Sequence, residues 1–382
     1  MKGRRLWFVG IGGAGMSAYA QLARALGAEV GGWDRVRTPY LEPLADVPLE
    51  ITPDPVVPDG WEAVVSRAYP GVPGLSRTAF LQELVAGRRT IAVAGSHGKG
   101  TTAAMIAFVL RETGRDPAWL IGAPVPQLGS NAGFGAGVLV VEADESDRTA
   151  FALRPEIGVV TNVELDHHAE FASATELEQA FAEWIGTLPH AVVEAPAYDG
   201  ALQLPGLHNR RNAGSALAAL ALVGVDREEA APVLARFSGT GRRFEVHESG
   251  GLTVVDDYAH HPSEIEAAIE AARERFPGRR LLVLFQPHLY SRTRHLAAEL
   301  AASLALADDV TVVDVYPARE RPQPGVSGKL VVDGLSDLGV LAGWTPAVEQ
   351  GAARVARRAR PGDVVLVLGA GDVDRAVDLL WQ

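Results

Sequence analysis

A glycine-rich segment with a lysine lies between a predicted strand and a predicted helix. Its residues are Gly95, Ser96, His97, Gly98, Lys99, Gly100, Thr101 and Thr102. In such a loop, backbone N–H groups bind phosphate oxygens, the lysine neutralises charge and a threonine hydroxyl holds Mg²⁺. Lysine is scarce in this chain, because Lys2, Lys99 and Lys329 are the only lysines among 35 basic residues. The segment therefore predicts a nucleotide-phosphate site; a glycine-rich turn with an incidental lysine is the alternative.

A second glycine-rich turn follows the first predicted strand and begins a helix. Its candidate ligand-binding residues are Gly10, Gly12, Gly13, Gly15 and Met16. Glycines there permit a tight turn and a close approach of backbone N–H groups to a phosphate at the helix N-terminus. Asp34 ends the next strand, where an acid can bind a ribose hydroxyl, so NAD is the usual interpretation. The pattern indicates a diphosphate without saying which one, and a tight turn without a ligand is the alternative.

Two further strands run into polar residues. The strand Val138–Glu142 continues through Asp144, Glu145 and Asp147, and Ile157–Thr161 leads to Asn162 and His167. Acids at the carboxyl end of a parallel strand face the ligand crevice and suit Mg²⁺. We predict Glu142 and His167 as candidate metal ligands, while a solvated acidic loop and a surface histidine are the alternatives.

Polar motifs recur in the second half of the chain. Residues 206–212 begin a helix with histidine and asparagine, which either cap the helix or recognise a base edge. Residues 239–245 place Arg242 and Arg243 on a glycine-flanked hinge, where an arginine can reach a transferring phosphoryl group when domains close. The segments 256–262 and 286–294 each follow a predicted strand and together predict one polar crevice.

Apolar runs alternate with amphipathic stretches along the whole chain. The predicted strands are Leu6–Val9, Glu29–Trp33, Ala63–Ser66, Thr90–Ala94, Val138–Glu142, Ile157–Thr161, Thr253–Val255, Arg280–Phe285, Val310–Val315 and Val364–Leu368. The predicted helices are Met16–Leu26, Thr78–Ala86, Thr101–Arg111, Glu176–Ile185, Asn212–Val223, Ser263–Arg275, Arg294–Leu304 and Gln350–Arg360. This alternation predicts an α/β fold with parallel sheets covered on both faces. We expect three domains, at residues 1–88, 89–238 and 239–382.

Composition excludes several classes of protein. The 382 residues are 47% hydrophobic and 21% charged, as in a globular protein. There is no cysteine, which excludes disulfides, thiolate metal sites and a cysteine nucleophile. The net charge of −12 argues against nucleic-acid and anionic-membrane binding. Since no signal peptide and no membrane-spanning stretch is evident, we expect a cytoplasmic protein without membrane insertion, either a monomer or a weak homodimer.

Taken in order, these motifs resemble those of the Mur ligase family. The resemblance covers nearly the whole chain and is most specific at residues 142–147, 256–262 and 285–288. It implies three domains: a Rossmann-like N-terminal domain, a P-loop central ATPase domain and a Rossmann-like C-terminal domain. It further implies an ATP-dependent amide ligase of peptidoglycan precursor synthesis, with ATP and Mg²⁺ required. The branch it resembles joins L-alanine to the lactoyl carboxylate of UDP-N-acetylmuramate through an acyl phosphate.

The resemblance also implies roles for particular residues. In the N-terminal domain the first glycine-rich turn, with Asp34 and Ser66, would bind the UDP-sugar and not NAD. Around ATP it implies the segment Gly95–Thr102 together with His208, Asn209, Asn212 and Asp257. It implies Thr101 or Thr102, Glu142 and His167 as metal ligands. The implied catalytic residues are Lys99, Arg243, His260 and Arg292.

The chain departs from the family pattern in three places. Gly100 stands where a hydroxyl residue usually follows the loop lysine, which leaves the Mg²⁺ hydroxyl open between Thr101 and Thr102. The chain is short, and the shortage falls between Leu188 and Leu204, where a small antiparallel part is expected. Leu289 stands where some relatives have arginine.

Three other functions remain open at this stage. They are a ligase that attaches a murein tripeptide to the same sugar nucleotide, an NAD-dependent oxidoreductase, and a non-catalytic ligase homologue.

Overall fold

The computed structural model describes residues 1–165, 170–249, 251–318 and 320–380. These residues form two compact units. The first comprises Met1–Gln203 and Arg211–Thr240, and the second comprises Leu204–Arg210 and Gly241–Gln382. The first unit contains two β-sheets and the second contains one.

The first sheet is wholly parallel, in the order β3-β2-β1-β4-β5. Its strands are β1 (Arg5–Val9), β2 (Glu29–Asp34), β3 (Leu49–Ile51), β4 (Glu62–Val65) and β5 (Leu75–Ser76), and its helices are α1 (Ala14–Ala25) and α2 (Arg77–Ala86). A glycine turn precedes α1, and Ser76 caps α2 by accepting a hydrogen bond from the Ala79 N–H at 3.1 Å.

The two faces of this sheet are covered differently. Leu6, Phe8 and Val64 pack with residues of α1 and α2. On the other face Trp7 and Trp33 form a small aromatic and aliphatic cluster with strand neighbours. The prediction of a sheet covered on both faces is confirmed, but loop residues such as Tyr69 cover the second face.

The second sheet follows the order β11-β10-β6-β9-β7-β8. Its strands are β6 (Thr90–Ala94), β7 (Ala118–Leu120), β8 (Ala132–Gly133), β9 (Leu139–Glu142), β10 (Ile157–Val160) and β11 (His190–Val193), and only β8 pairs antiparallel. Its helices are α3 (Lys99–Glu112), α4 (Thr149–Ala152), α5 (Ala174–Gly186), α6 (Leu207–Leu222) and α7 (Arg227–Leu234). One apolar cluster contains residues of both the first and the second sheet, which joins them in one unit.

The third sheet has the order β12-β13-β17-β14-β15-β16, with β12 antiparallel at one edge. Its strands are β12 (Glu245–Ser249), β13 (Leu252–Asp257), β14 (Leu281–Phe285), β15 (Asp309–Val312), β16 (Ala342–Trp344) and β17 (Val364–Leu368). Its helices are α8 (Pro262–Arg275), α9 (Tyr290–Leu304), α10 (Lys329–Asp337), α11 (Val348–Arg358) and α12 (Arg375–Leu380). Apolar clusters on both faces make this a sheet buried between helices.

Most predicted elements are present, and some differ in their boundaries. The structure also has elements outside the predicted set: the helices α4, α7, α10 and α12 and the strands β11, β12 and β16. Helix α6 begins at Leu207, five residues before the predicted start, and α9 begins at Tyr290 with non-helical backbone at Leu296. Four strands of two or three residues lie outside the predicted set in the first two sheets, because such short runs carry no periodicity. Between Leu188 and Leu204 the structure has one strand, β11, which pairs parallel with β10.

Candidate active site

The lysine-bearing loop joins β6 to α3, and the positive φ angles of two glycines shape it. Gly95 has φ +126°, and a Cβ there would lie 2.3 Å from Thr161 Oγ1. Gly98 has φ +78°, and a Cβ there would lie 2.3 Å from Asn212 Oδ1. Neither position has room for a side chain, so glycine is required at both.

Hydrogen bonds from the end of β10 hold the loop in place. Asn162 binds His97 twice, since Oδ1 accepts from the backbone N–H at 2.9 Å and Nδ2 donates to the carbonyl at 2.9 Å. Thr161 Oγ1 donates to the same carbonyl at 2.6 Å. Ser96 Oγ donates to the Glu164 carbonyl at 2.7 Å. These hydrogen bonds fix the backbone of the loop against the end of β10.

Lys99 begins α3, and its ammonium group lies inside this loop. Nζ donates to the carbonyls of Gly95 at 2.7 Å and Ser96 at 3.1 Å, and it pairs with Glu145 Oε2 at 2.8 Å. Burial works to lower the pKa of Lys99, but the carboxylates of Glu145 and Asp144 outweigh it and the pKa is raised. Burial raises the pKa of Glu145 to about 7, against the lowering effect of Lys99. The Lys99 ammonium group therefore lies inside the glycine-rich loop, next to a buried carboxyl group.

Glu142 ends β9 with its carboxylate against the first turn of α3. A Cβ on Gly100 would lie 3.2 Å from Glu142 Oε2, and the same oxygen accepts from the Gly122 N–H at 2.6 Å. Thr101 and Thr102 are buried in the same first turn of α3, and Thr102 Oγ1 has no hydrogen-bond partner among the described residues. A carboxylate and two hydroxyls around one helix start form an oxygen donor set that fits Mg²⁺. The predicted ligand His167 lies outside the described residues.

The first glycine-rich turn is organised by an acid and not by a cation. Asp34 is buried at the end of β2, and its carboxylate accepts from the N–H groups of Gly12 and Arg35, both at 2.7 Å. On the other side, a Cβ on Gly10 would lie 3.0 Å from both Ser66 Cβ and the Tyr69 ring. The structure therefore brings the predicted residues Gly10, Gly12, Asp34 and Ser66 together.

The predicted adenine-site residues divide between the two units. Asn212 belongs to the first unit, where it lies against Gly98. His208 and Asn209 belong to the second unit, in which Asn209 Nδ2 donates to the Pro205 carbonyl at 2.8 Å.

In the second unit, arginine and carboxylate groups gather at the end of β13. Asp257 accepts from the backbone N–H groups of Phe244 and Ala259, both at 2.8 Å, and burial raises its pKa to about 6. Arg243 lies with its guanidinium 5.2 Å from the Tyr258 ring centroid and 3.5 Å from Glu264. Arg242 lies on the same ring and pairs with Asp256 at 3.1 Å.

A histidine and arginine cluster continues from there to the end of β14. His260 Nδ1 lies 2.9 Å from the Tyr258 carbonyl and 3.1 Å from Glu264 Oε2. The rings of His260 and His288 are 5.6 Å apart, and buried Arg292 contacts His288 Nδ1 at 3.1 Å. The structure therefore gathers the predicted residues Arg243, Asp257, His260 and Arg292 at the carboxyl edge of the third sheet.

Several contributing residues were not among the predicted site residues. Asn162, Glu145 and His288 all lie within recognised motifs, but sequence alone does not say which polar side chain of a motif turns inward. Asn131 Nδ2 donates to the Ala14 carbonyl at 3.1 Å, and no pattern in the sequence indicates this contact across two sheets.

Comparison with known proteins places this arrangement in a family. The profile of the Mur ligase middle domain matches residues 93–198, and that of the Mur ligase glutamate ligase domain matches residues 242–371. A UDP-N-acetylmuramate–L-alanine ligase of Renibacterium salmoninarum is 38% identical over 441 residues, covering 97% of this chain and 94% of that protein. The chain belongs to the Mur ligase family. One of the same name from Streptomyces coelicolor is 38% identical over 96% of this chain and 94% of that protein.

Solved structures agree with the Mur ligase assignment. The UDP-N-acetylmuramate–alanine ligase of Thermotoga maritima superposes with a TM-score of 0.79 at 26% identity, covering 98% of both chains. A murein peptide ligase of Psychrobacter arcticus shares the fold, with a TM-score of 0.65 at 22% identity and coverage of 99% and 98%. The predicted α/β Mur ligase fold is confirmed. The matches are to ligases, not to oxidoreductases. No described helix combines the length and apolar character needed to cross a membrane.

Proposed function

We propose that this Mur ligase joins L-alanine to the lactoyl carboxylate of UDP-N-acetylmuramate and consumes ATP in doing so. The observation that carries the proposal is the start of α3, where the largely buried Lys99 side chain lies inside a glycine-rich loop with the Glu142 carboxylate against the same helical turn. The names of relatives that match nearly the whole chain support the choice of substrates.

The chemistry requires activation of a carboxylate. A carboxylate oxygen attacks the γ-phosphorus of ATP, ADP leaves, and the product is an acyl phosphate. The alanine amine then attacks the acyl carbon, loses a proton, and phosphate departs as the amide forms. Since the reactants are anions, fixed cations lower both barriers by stabilising charge that develops in the transition state.

The first unit supplies the phosphate-activating groups. Lys99 exchanges Glu145 for phosphate oxygens, and the amides of the loop bind the remaining oxygens. Glu142 with Thr101 or Thr102 would hold Mg²⁺, which supplies charge neutralisation on the phosphates. The Thr102 hydroxyl has no partner among the residues that the structure describes, which supports a ligand at this turn.

The second unit supplies groups for the amino acid and the transferring phosphoryl. Buried Arg292 is suited to the alanine carboxylate, because a guanidinium binds a carboxylate through two parallel hydrogen bonds. His260 is held at Nδ1 by a carbonyl and by Glu264, which fixes its ring. Arg243 is half-buried on Tyr258 and is suited to a phosphoryl oxygen.

One assay tests the proposal. Purified protein is mixed with ATP, Mg²⁺ and UDP-N-acetylmuramate, and phosphate release is measured with L-alanine, glycine, L-serine or the murein tripeptide. We expect release with L-alanine, together with a product heavier by one alanine residue in mass spectrometry. Release only with the tripeptide would support the recycling ligase instead, and no release with any acceptor would support a non-catalytic homologue.

A further inference from the structure

Helix α2 brings an arginine to the first glycine-rich turn. Arg77 is the first residue of α2, and its Cζ lies 3.9 Å from where a Cβ on Gly15 would stand. Its Nε donates to Tyr19 Oη at 3.4 Å, and its Cζ lies 5.7 Å from the ring centroid of Tyr19. The guanidinium thus lies beside the first turn of α1, whose N–H groups have no partner within the helix.

Arg77 is half-buried and makes few hydrogen bonds. Within the described ranges its long contact with Tyr19 is the only hydrogen bond, and no carboxylate lies within ion-pair distance. Other arginines of the same sheet are fully engaged: Arg4 binds Glu62 through two nitrogens and Arg24 binds Asp46 in the same way. A guanidinium has five N–H donors, and donors withdrawn from water need acceptors.

Nearby carboxylates favour the charged form of Arg77, but no hydrogen bond or ion pair is described between them and its guanidinium. Burial works to lower the pKa of Arg77, but Tyr19, Asp147 and Asp144 outweigh it and the pKa is raised. The oxygens of Asp147 are engaged elsewhere, because Oδ1 accepts from the Thr149 N–H at 3.0 Å and Oδ2 faces Arg67 at 3.4 Å. Arg77 therefore stays charged, and among the described residues most of its N–H groups have no hydrogen-bond acceptor.

We infer that Arg77 binds the diphosphate of the sugar nucleotide, as the cation that the first glycine-rich turn lacks. The inference rests on the proposed function for its ligand. A diphosphate at the start of α1 would meet N–H groups on one side and the guanidinium fork on the other, and such a fork matches two phosphate oxygens at once. Arg77 is then a substrate-binding residue supplied by a helix that follows the turn by about sixty positions.

Binding calorimetry with two ligands tests this inference. The full-length protein and its Arg77→Met and Arg77→Lys variants are titrated with UDP and with UDP-N-acetylmuramate. We expect Arg77→Met to weaken both by about ten- to a hundredfold, as for the loss of a hydrogen bond to a charged group. Arg77→Lys should lie between, because it retains the charge but not the fork.

Two controls separate binding from folding. ATP affinity should be unchanged in Arg77→Met, since ATP is assigned to the other loop, and this result also reports an intact fold. Arg24→Met removes an exposed ion pair at the far end of the same α1 and should leave UDP affinity within twofold. If Arg77→Met does not fold, the Arg77→Lys titration decides the matter by the same criterion.

Three results would overturn the inference. One is unchanged affinity for both ligands in the folded Arg77→Met variant. Another is weaker binding of UDP-N-acetylmuramate with unchanged binding of UDP, which would place the contact on the sugar or its carboxylate. The last is an equal loss in Asp147→Asn, which would make Arg77 a structural partner of that acid. If the unsubstituted protein binds neither ligand, the proposed function fails and the inference with it.

Discussion

The two glycine-rich turns of the first unit share a plan and differ in where their positive charge comes from. Each joins a central parallel strand to a helix whose N-terminus points at the space beyond the sheet. The turn before α3 contains Lys99, whereas the turn before α1 contains no charged residue and has Arg77 beside it from α2.

The side chains that hold the two turns in place also differ. In the first turn, the carboxylate of Asp34 accepts a hydrogen bond from the Gly12 N–H. In the second, neutral groups of Thr161 and Asn162 hold the backbone, and the acid, Glu145, pairs with the lysine. An acid that holds backbone is a fixed part of the turn, while an acid that holds the functional cation must be displaced by the ligand. Similar glycine patterns are therefore held in place by different side chains in the two turns.

Of the substitutions in the two turns, removal of the Lys99 ammonium group should have the largest effect. In Lys99→Ala we expect the rate of alanine-dependent phosphate release to fall by about 10²–10³-fold or more, because a charge aimed at the transferring phosphate is lost. Lys329→Ala is the matched control, since Lys329 is exposed and its one ion pair within the described part of the chain is with Asp333 on α10. Both variants are measured by phosphate release and thermal melting. A Lys99→Ala enzyme with near-normal turnover would show that this loop does not activate ATP.

The raised pKa of Glu145 should make the free energy of unfolding depend on pH. The folded pKa of Glu145 is about 7 against an ordinary 4.5, so between these values the folded chain keeps a proton that the unfolded chain has lost. Stability should therefore decrease as pH rises from 4.5 to 7, by about 3 kcal/mol at most, since each pKa unit is worth about 1.4 kcal/mol. Urea unfolding across this range measures it, and Glu145→Gln should flatten the slope. An unchanged slope in that variant would assign the effect to other groups.

The position of Asp34 limits which residues fit in the first turn. A Cβ on Gly12 would lie 2.9 Å from Asp34 Oδ2, whereas one on Gly13 meets nothing closer than the Gly10 carbonyl at 3.5 Å. We expect Gly12→Ala to reduce the free energy of unfolding by about 1–3 kcal/mol, because it displaces a buried carboxylate from two N–H donors. Gly13→Ala should change it by less than about 0.5 kcal/mol. Equal losses in urea unfolding would mean that Asp34 does not hold the turn.

The sequence predicts these two turns well because their signals are local. A glycine pattern between an apolar strand and an amphipathic helix determines the turn, its N–H groups and the lysine at its end. The carboxyl-end clusters around His260 and Arg292 are predicted for the same reason, since parallel strands end at one edge. The family follows from the order of such local motifs.

The side-chain contacts around the two turns depend on tertiary structure, so the sequence does not predict them. Arg77 belongs to a helix with no motif, and its proximity to Gly15 depends on how α2 packs across the first sheet. Asp34 stays a predicted UDP-sugar residue, and its hydrogen bond from the Gly12 N–H is a tertiary contact that depends on the register of β1 and β2. The partition of α6, with Asn209 and Asn212 in different units, is likewise invisible in its helical pattern.

The smallest expected effect tests the glycine that follows Lys99. A Cβ on Gly100 would lie 3.2 Å from Glu142 Oε2, and that carboxylate is already held by the Gly122 N–H, so it must yield by a few tenths of an ångström. We expect Gly100→Ala to raise the KM for Mg²⁺–ATP about two- to fivefold, corresponding to less than about 1 kcal/mol. Stability should be equal or slightly higher, because alanine favours a helix over glycine by about 0.5–1 kcal/mol.

Gly186→Ala is the control for that substitution. Gly186 ends α5, and a Cβ there meets nothing within 4 Å, so the KM for Mg²⁺–ATP should stay at the unsubstituted value. If Gly100→Ala leaves the KM unchanged as well, Glu142 has room to move and the missing side chain at position 100 is neutral. If it raises the KM, the close approach of Glu142 explains why this chain has glycine at position 100.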